Sequence, residues 1–114
     1  MNIKILDSWL RDYLKTDATP KQIGEKLSLS SVSVERLEKY KEDFTYDIEV
    51  TTNRPDLMSV VGLARETATV LTYNNISAKF LSPRITPPQI AKDAATITIK
   101  NDPKLVNRVL AVVM

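Results

Sequence analysis

Neither cysteine nor histidine occurs anywhere in this sequence. The first absence excludes disulfides, thiolate nucleophiles and thiolate metal sites; the second removes the commonest general base and metal ligand. Glycine occurs only twice, at Gly24 and Gly62, both inside helical patterns, so neither belongs to a glycine-rich phosphate loop. Long apolar runs are missing too. Met1 to Asp7 lacks a signal-peptide core, and no stretch approaches a membrane span, which points to a cytoplasmic chain without a membrane partner. A strong charge of either sign is also absent. The net charge is +2, with 10 Lys/Arg against 12 Asp/Glu in residues 1–66 and 6 against 2 in residues 67–114. That thin basic excess in the second part reads as solvated surface rather than a nucleic-acid patch.

The 114 residues, 43% hydrophobic and 26% charged, suit one small domain or one domain with part of another. A chain of this size buries roughly two-thirds of its unfolded surface. Ile5, Leu6, Trp9, Leu10, Tyr13 and Leu14 recur at helical spacing and predict an amphipathic helix capped by Asp7 or Ser8, with Trp9 as a core anchor. Thr19, Pro20 and Gln22 spell a capping box with proline at the first helical position, opening a second helix that buries Ile23 and Leu27. Lys15 to Ala18 would join the two as a helical hairpin. Ser30-Ser31 breaks the second helix, and Val32 to Glu38 alternates as a strand.

A short polar connection, Lys39 to Thr45, leads to a second strand in which Tyr46, Ile48 and Val50 share one face. Asp47 and Glu49 lie on the other face, read as a solvated surface rather than a catalytic pair. Then comes a corner, Thr51 to Ser59. Asn53 tolerates turn geometry and Pro55 pushes Arg54 out of the helical region. Asp56 or Ser59 can cap the following helix, whose buried stripe is Val60, Leu63, Ala64, Thr67, Val70 and Leu71. The order helix, helix, strand, strand, helix predicts a small α+β domain, similar to a winged helix, with helices on one face of an antiparallel sheet. An arginine fixed between Asn53 and Pro55 should bond to Glu66 or Asp56 and hold strand and helix in register.

Past Asn75 the chain changes character. Ile76 to Leu81 reads as a short extended segment against the domain, and residues 82–94, with Pro83, Pro87 and Pro88, as a semi-rigid linker. Ala95 to Lys100 alternates as a strand, Asn101-Asp102-Pro103 makes a turn, and Leu105 to Met114 is a second apolar run. The expected division is 1–81, 82–94 and 95–114, the last being the first strands of a truncated second domain. Unpaired strand edges in 95–114 make a strand-exchanged homodimer an expected form.

The corner also carries a resemblance. Asn53-Arg54-Pro55-Asp56, Ser59, Gly62, Ala64, Arg65 and Glu66 fit "T-x-N-R-P-D-x-x-S-x-x-G-x-A-R-E", and the chain resembles the N-terminal domain of the phenylalanyl-tRNA synthetase beta subunit. Ser8-Trp9-Leu10-Arg11-Asp12-Tyr13 is similar to that family's opening helix, shortened in spacing. Asp102-Pro103-Lys104-Leu105 and Arg108 fit the start of its editing domain, with Val106, Asn107 and Val109 replacing three letters. Many members insert a tRNA-binding barrel between the two strands; the seven residues from Lys39 to Thr45 hold only a hairpin loop. The resemblance implies a piece of a ligase that joins phenylalanine to its tRNA using ATP and magnesium. It also implies a catalytic alpha subunit as partner in an alpha2-beta2 assembly, with phenylalanine tRNA as substrate. Catalytic, cofactor and metal residues are expected in none of this stretch, only a scaffold built on the corner residues. The other reading left open is a free-standing winged-helix-like nucleic-acid-binding module, with Gln22, Glu25 and Lys26 on its recognition helix.

Overall fold

The computed structural model of the chain describes residues 1–86, 89 and 97–111. Two compact units divide the chain, Met1–Arg84 and Ile85–Met114. The first unit runs β1 (Asn2–Leu6), α1 (Asp7–Arg11), β2 (Leu14–Thr16), α2 (Pro20–Ser30), β3 (Ser33–Tyr40), β4 (Asp43–Glu49), a 3-10 turn (Pro55–Met58), α3 (Val60–Tyr73) and β5 (Ala78–Phe80). This is a mixed α+β domain, in which strands β1, β2 and β5 extend the order expected from periodicity alone.

β4 is the central strand of an antiparallel sheet ordered β1-β4-β3. It pairs Ile48 with both Ile3 and Val34, and Tyr46 with both Ile5 and Leu37. Cross-strand partners share a face, so Tyr46 and Ile48, both fully buried, centre an apolar surface completed by Ile5 and half-buried Ile3, Val34 and Leu37. Leu10 of α1, Ile23 and Leu27 of α2, and Leu63, Ala64 and Leu71 of α3 join this surface in one core cluster. β2 and β5 make a separate two-stranded ladder, Leu14 opposite Phe80 and Thr16 opposite Ala78, which fastens the segment after α3.

The expected first helix is corrected by the structure. Ile5 and Leu6 belong to β1 and Leu14 to β2, leaving a helix of five residues. Its apparent periodicity is shared by three elements, each contributing one buried residue. So short a helix buries one apolar side chain: Leu10 is fully buried, and Trp9 beside it stands 50% exposed rather than anchoring the core. Lys15 to Ala18 is correspondingly not a helical hairpin turn, because Leu14–Thr16 is a strand.

Neither Asp7 nor Ser8 caps α1 through its own side chain; the capping position is Leu6. Asp43, on the far side of the β3–β4 turn, accepts from the Ser8 N–H at 3.3 Å and from Ser8 Oγ at 2.6 Å instead. Those bonds, the Ser8 hydroxyl above all, hold the Asp43 carboxyl below its usual range. Asp47 is corrected as well. It is nearly buried and reached by the Asn2 amide at 3.4 Å and Lys4 Nζ at 3.9 Å, while Glu49 is exposed.

α2 follows the sequence closely. Thr19 Oγ1 accepts from the Gln22 N–H at 3.3 Å and the Gln22 side chain accepts from the Thr19 N–H at 2.9 Å, a complete capping box with Pro20 in the first turn. The β3–β4 connection is tighter than expected. Tyr40 pairs with Asp43, so only Lys41 and Glu42 form the turn, with Lys41 at φ 55°. Single residues of ordinary type enter this left-handed region chiefly in tight hairpin turns.

In the second unit, the strands expected at 95–100 and 105–114 are not formed among the described residues 97–111. Asp102 organises a turn there, its carboxylate accepting from the Lys104 N–H at 2.9 Å and its carbonyl from the Leu105 and Val106 N–H groups. Asn101 closes it by donating to the Val106 carbonyl at 2.8 Å. Backbone groups spent on this turn and on Pro103 are lost to any ladder. Residues 87, 88, 90–96 and 112–114, and with them most of the expected linker, lie outside the described residues.

One buried polar chain ties the first unit together. Tyr46 donates its hydroxyl to Asp7 at 2.6 Å, Asp7 accepts from Arg11 Nε at 2.6 Å, and Arg11 reaches the carbonyls of Thr16 and Ala18. Burial and the Asp7 carboxylate push the Tyr46 hydroxyl far above its ordinary range, so it remains a donor. Tyr46→Phe, which leaves a buried acceptor short of one donor, should lower stability by about 1–3 kcal/mol in urea unfolding. An unchanged midpoint would show that Asp7 does not need that bond.

Candidate functional site

The corner between β4 and α3 gathers the residues that the sequence singles out. Arg54 N–H donates to the Thr51 carbonyl at 3.0 Å, closing a turn that carries exposed Asn53 at its outer side. Pro55 holds Arg54 away from helical geometry, at φ −123° and ψ 55°, and then opens the 3-10 turn. That turn drives Leu57 into the core, where it is fully buried. Ser59 is the cap of α3: its Oγ accepts from the Gly62 N–H at 3.0 Å and donates to the Asp56 carbonyl at 3.2 Å. Asp56 does not cap the helix, because its carboxylate is taken by arginine.

Arg54 stands between two acids. Nε and Nη2 donate to the two oxygens of Asp56, each at 3.1 Å, and Nη2 donates to Glu66 at 2.9 Å. Arg65 approaches Asp56 at 3.6 Å from the first turns of α3. Glu66 also accepts from the Ser31 hydroxyl at 2.5 Å, which brings the end of α2 into the same network. The Arg54 guanidinium holds the Asp56 carboxyl below its usual range, and Arg54 followed by Ser31 does the same for Glu66. Arg54 is itself held more firmly protonated by the two carboxylates. Two arginines face two acids, so the corner is neutral and has no proton to exchange near pH 7. Its chemistry is fastening.

The structure thus brings Arg54, Asp56, Ser59, Gly62, Arg65 and Glu66 together, and places Asn53 and Pro55 as the turn that presents Arg54. Two contributions escape sequence reasoning. Ser31 reads only as a helix breaker, since nothing in its spacing points to Glu66. Gly62 enters the sequence reading as a helical residue and a letter of the corner pattern, with no reason for glycine, yet a Cβ there would sit 1.9 Å from the Asp56 carbonyl oxygen. Among the described residues no group of three or more His, Cys, Asp or Glu could hold a metal ion. Gly24 and Gly62 are both helical. None of the described helices is long and apolar enough to cross a membrane.

A second feature lies between α2 and β3. There an apolar groove of about 500 Å³ is lined by Lys21, Gly24, Leu29, Val34 and Leu37 among others. Lys21 and Glu25 on the helix beside it form an ion pair at 3.9 Å, which engages the one acid of the recognition surface read from Gln22, Glu25 and Lys26.

Comparison with known proteins gives one point of contact. The phenylalanine–tRNA ligase beta subunit of Rhodopirellula baltica is 37% identical to this chain over 60 residues, which cover 53% of the chain and 9% of that protein. The shared stretch thus spans less than a tenth of the relative's length. No family model matches the chain, and no solved structure matches it. The likeness supports a relation to that kind of beta subunit over about half of the chain.

Two outcomes follow for the corner. Glu66 and Asp56 have lowered pKa values, so their contribution is present above the range of free carboxylates and is lost as pH falls through the lower folded values. Arg54→Ala should therefore lower the melting temperature near pH 7, and the gap from the wild type should close below about pH 4, where free carboxylates take up protons. A gap that persists at acid pH would exclude ion pairing as the cause. Gly62→Ala should also melt lower, because the backbone clash outweighs the roughly 1 kcal/mol that alanine gains over glycine in a helix. A higher melting temperature would mean that the corner yields without cost.

Proposed function

We propose that this chain is a non-catalytic scaffold domain from the beta subunit of a phenylalanine–tRNA ligase. The observation that carries the reading is the corner. The residues that give the chain its resemblance are the same ones that form a closed, charge-neutral network, whose only evident work is to fix a strand end to a helix. The likeness to the Rhodopirellula baltica protein supports the relation to such a beta subunit and is silent on the role of this stretch.

In this reading the whole protein joins phenylalanine to its tRNA, with ATP and magnesium bound elsewhere and a catalytic alpha subunit as partner. The present stretch supplies a stiff platform. Arg54 ties the 3-10 turn to α3, Ser31 ties α2 to α3, and Leu57 anchors the turn in the core. A platform of this kind transmits position to what is attached to it, since packed interiors deform little.

Grafting tests the proposal. Residues 1–81 of this chain, replacing the corresponding segment of the Rhodopirellula baltica beta subunit, should give a protein that copurifies with its alpha subunit and charges phenylalanine tRNA. A chimera that is folded by circular dichroism yet fails to hold the alpha subunit would overturn the scaffold role. The chain alone should bind tRNA no more tightly than nonspecific contacts allow, in the range of about 1–100 µM at physiological salt. A nanomolar dissociation constant in filter binding would contradict it.

A further inference from the structure

β3 is an edge of the sheet: β4 pairs with its inner side, and among the described residues no strand pairs with its outer side. Such an edge offers unpaired backbone donors and acceptors to another strand. Its side chains are exposed at Glu35, Arg36, Glu38 and Lys39. Among the described residues Arg36, Glu38 and Lys39 have no ion-pair partner. Glu35 is bonded to Ser33 at 2.5 Å.

The order of these residues is self-complementary. When an antiparallel copy of the strand is centred on Leu37, Leu37 meets its own twin. Arg36 then faces Glu38 of the second copy, and Glu38 faces its Arg36. Further out, Lys39 and Tyr40 meet no regular partner, because the bulge at Glu35 interrupts the strand. Neighbouring registers are penalised: a slip of one residue sets Glu35 against Glu38, or Arg36 against Lys39. Centring on Arg36 or Glu38 opposes two identical charges. Like charges directly opposite each other destabilise a strand pair, and opposite charges stabilise it.

The two faces of the sheet fit this pairing. Arg36 and Glu38 lie opposite Asp47 and Thr45, on the polar face, while Leu37 lies opposite Tyr46 on the core face. The groove between α2 and β3 opens on that same apolar side, with Leu29 79% exposed at its rim. A twin strand would bring two such grooves together around the Leu37 pair. The bulge between Val34 and Arg36 leaves Arg36–Tyr40 as the regular stretch, so the ladder is short and the charge pattern must supply its register.

We propose that a second copy of this chain docks antiparallel along β3, centred on Leu37, to form a two-fold symmetric six-stranded sheet. The proposal is independent of the scaffold reading. It is tested on the full chain by sedimentation equilibrium, with circular dichroism to verify folding of each variant. The wild type should dimerise reversibly at high micromolar concentration. Glu38→Arg and Arg36→Glu should each weaken dimerisation by at least about tenfold, because each sets like charges face to face twice. An equimolar mixture of the two variants should recover dimers, and so should the doubly swapped R36E/E38R chain. If Arg36→Glu unfolds, the comparison of Glu38→Arg with the double variant decides alone. A wild type that stays monomeric, or a dimer whose affinity Glu38→Arg leaves unchanged, as a dimer through residues 105–111 would be, overturns the proposal.

Discussion

Tyr46 has to solve two problems at once, and the rest of the domain is arranged around its solution. Its ring is the largest fully buried side chain, in the strand that pairs on both sides. A phenol placed there needs a partner for its hydroxyl, since an unmade bond in the interior is costly. Asp7 provides the partner and brings a charge inside with it, which Arg11 then neutralises at one turn's distance along α1. Arg11 in its turn is fixed by two carbonyls in the connection to α2. The orientation of α1 and the path from it to α2 are thus set from the centre of β4.

The other end of β4 is governed by a different economy. The chain leaves the sheet, turns at Asn53, descends through Leu57 and starts α3 within a few residues. That brings the Asp56 carbonyl so close to α3 that position 62 has no room for a side chain. Ser59 uses the same closeness, touching the Asp56 carbonyl and the Gly62 N–H with one hydroxyl. Arg54 spans the gap on the outside. Steric fit at Gly62 and charge at Arg54 therefore act on the same few bonds of backbone, one from beneath and one from the surface.

What could be read from the sequence follows from where periodicity is carried. α3 shows its stripe over a long helix, and the buried set Val60, Leu63, Ala64, Thr67, Val70 and Leu71 stands as expected. Tyr46, Ile48 and Val50 alternate without interruption, and they are buried as expected. The cap at Thr19 and the Arg54 bonds were legible because each involves residues close in sequence or of opposite charge in a constrained place. β1 was not legible. Its Ile3 and Ile5 alternate over too short a stretch, and the apolar residues of α1 and β2 continue them at a spacing that mimics one helix. Ser31 with Glu66, and Asp43 with Ser8, join residues 35 apart, and such pairs leave no mark on local pattern.

The turn at Lys41-Glu42 has a consequence for how this fold can change over time. The strands beneath it are already aligned down to Tyr40 opposite Asp43, and Asp43 is pinned from the side by Ser8. Nothing in the core depends on the two residues at the tip, both of which are exposed. Lengthening a closed loop costs only about 0.6 kcal/mol for each doubling of its length. The tip is therefore a port: a whole folded module could be spliced in between Lys41 and Glu42, or lost again, and the corner at Arg54 would keep its geometry through either event.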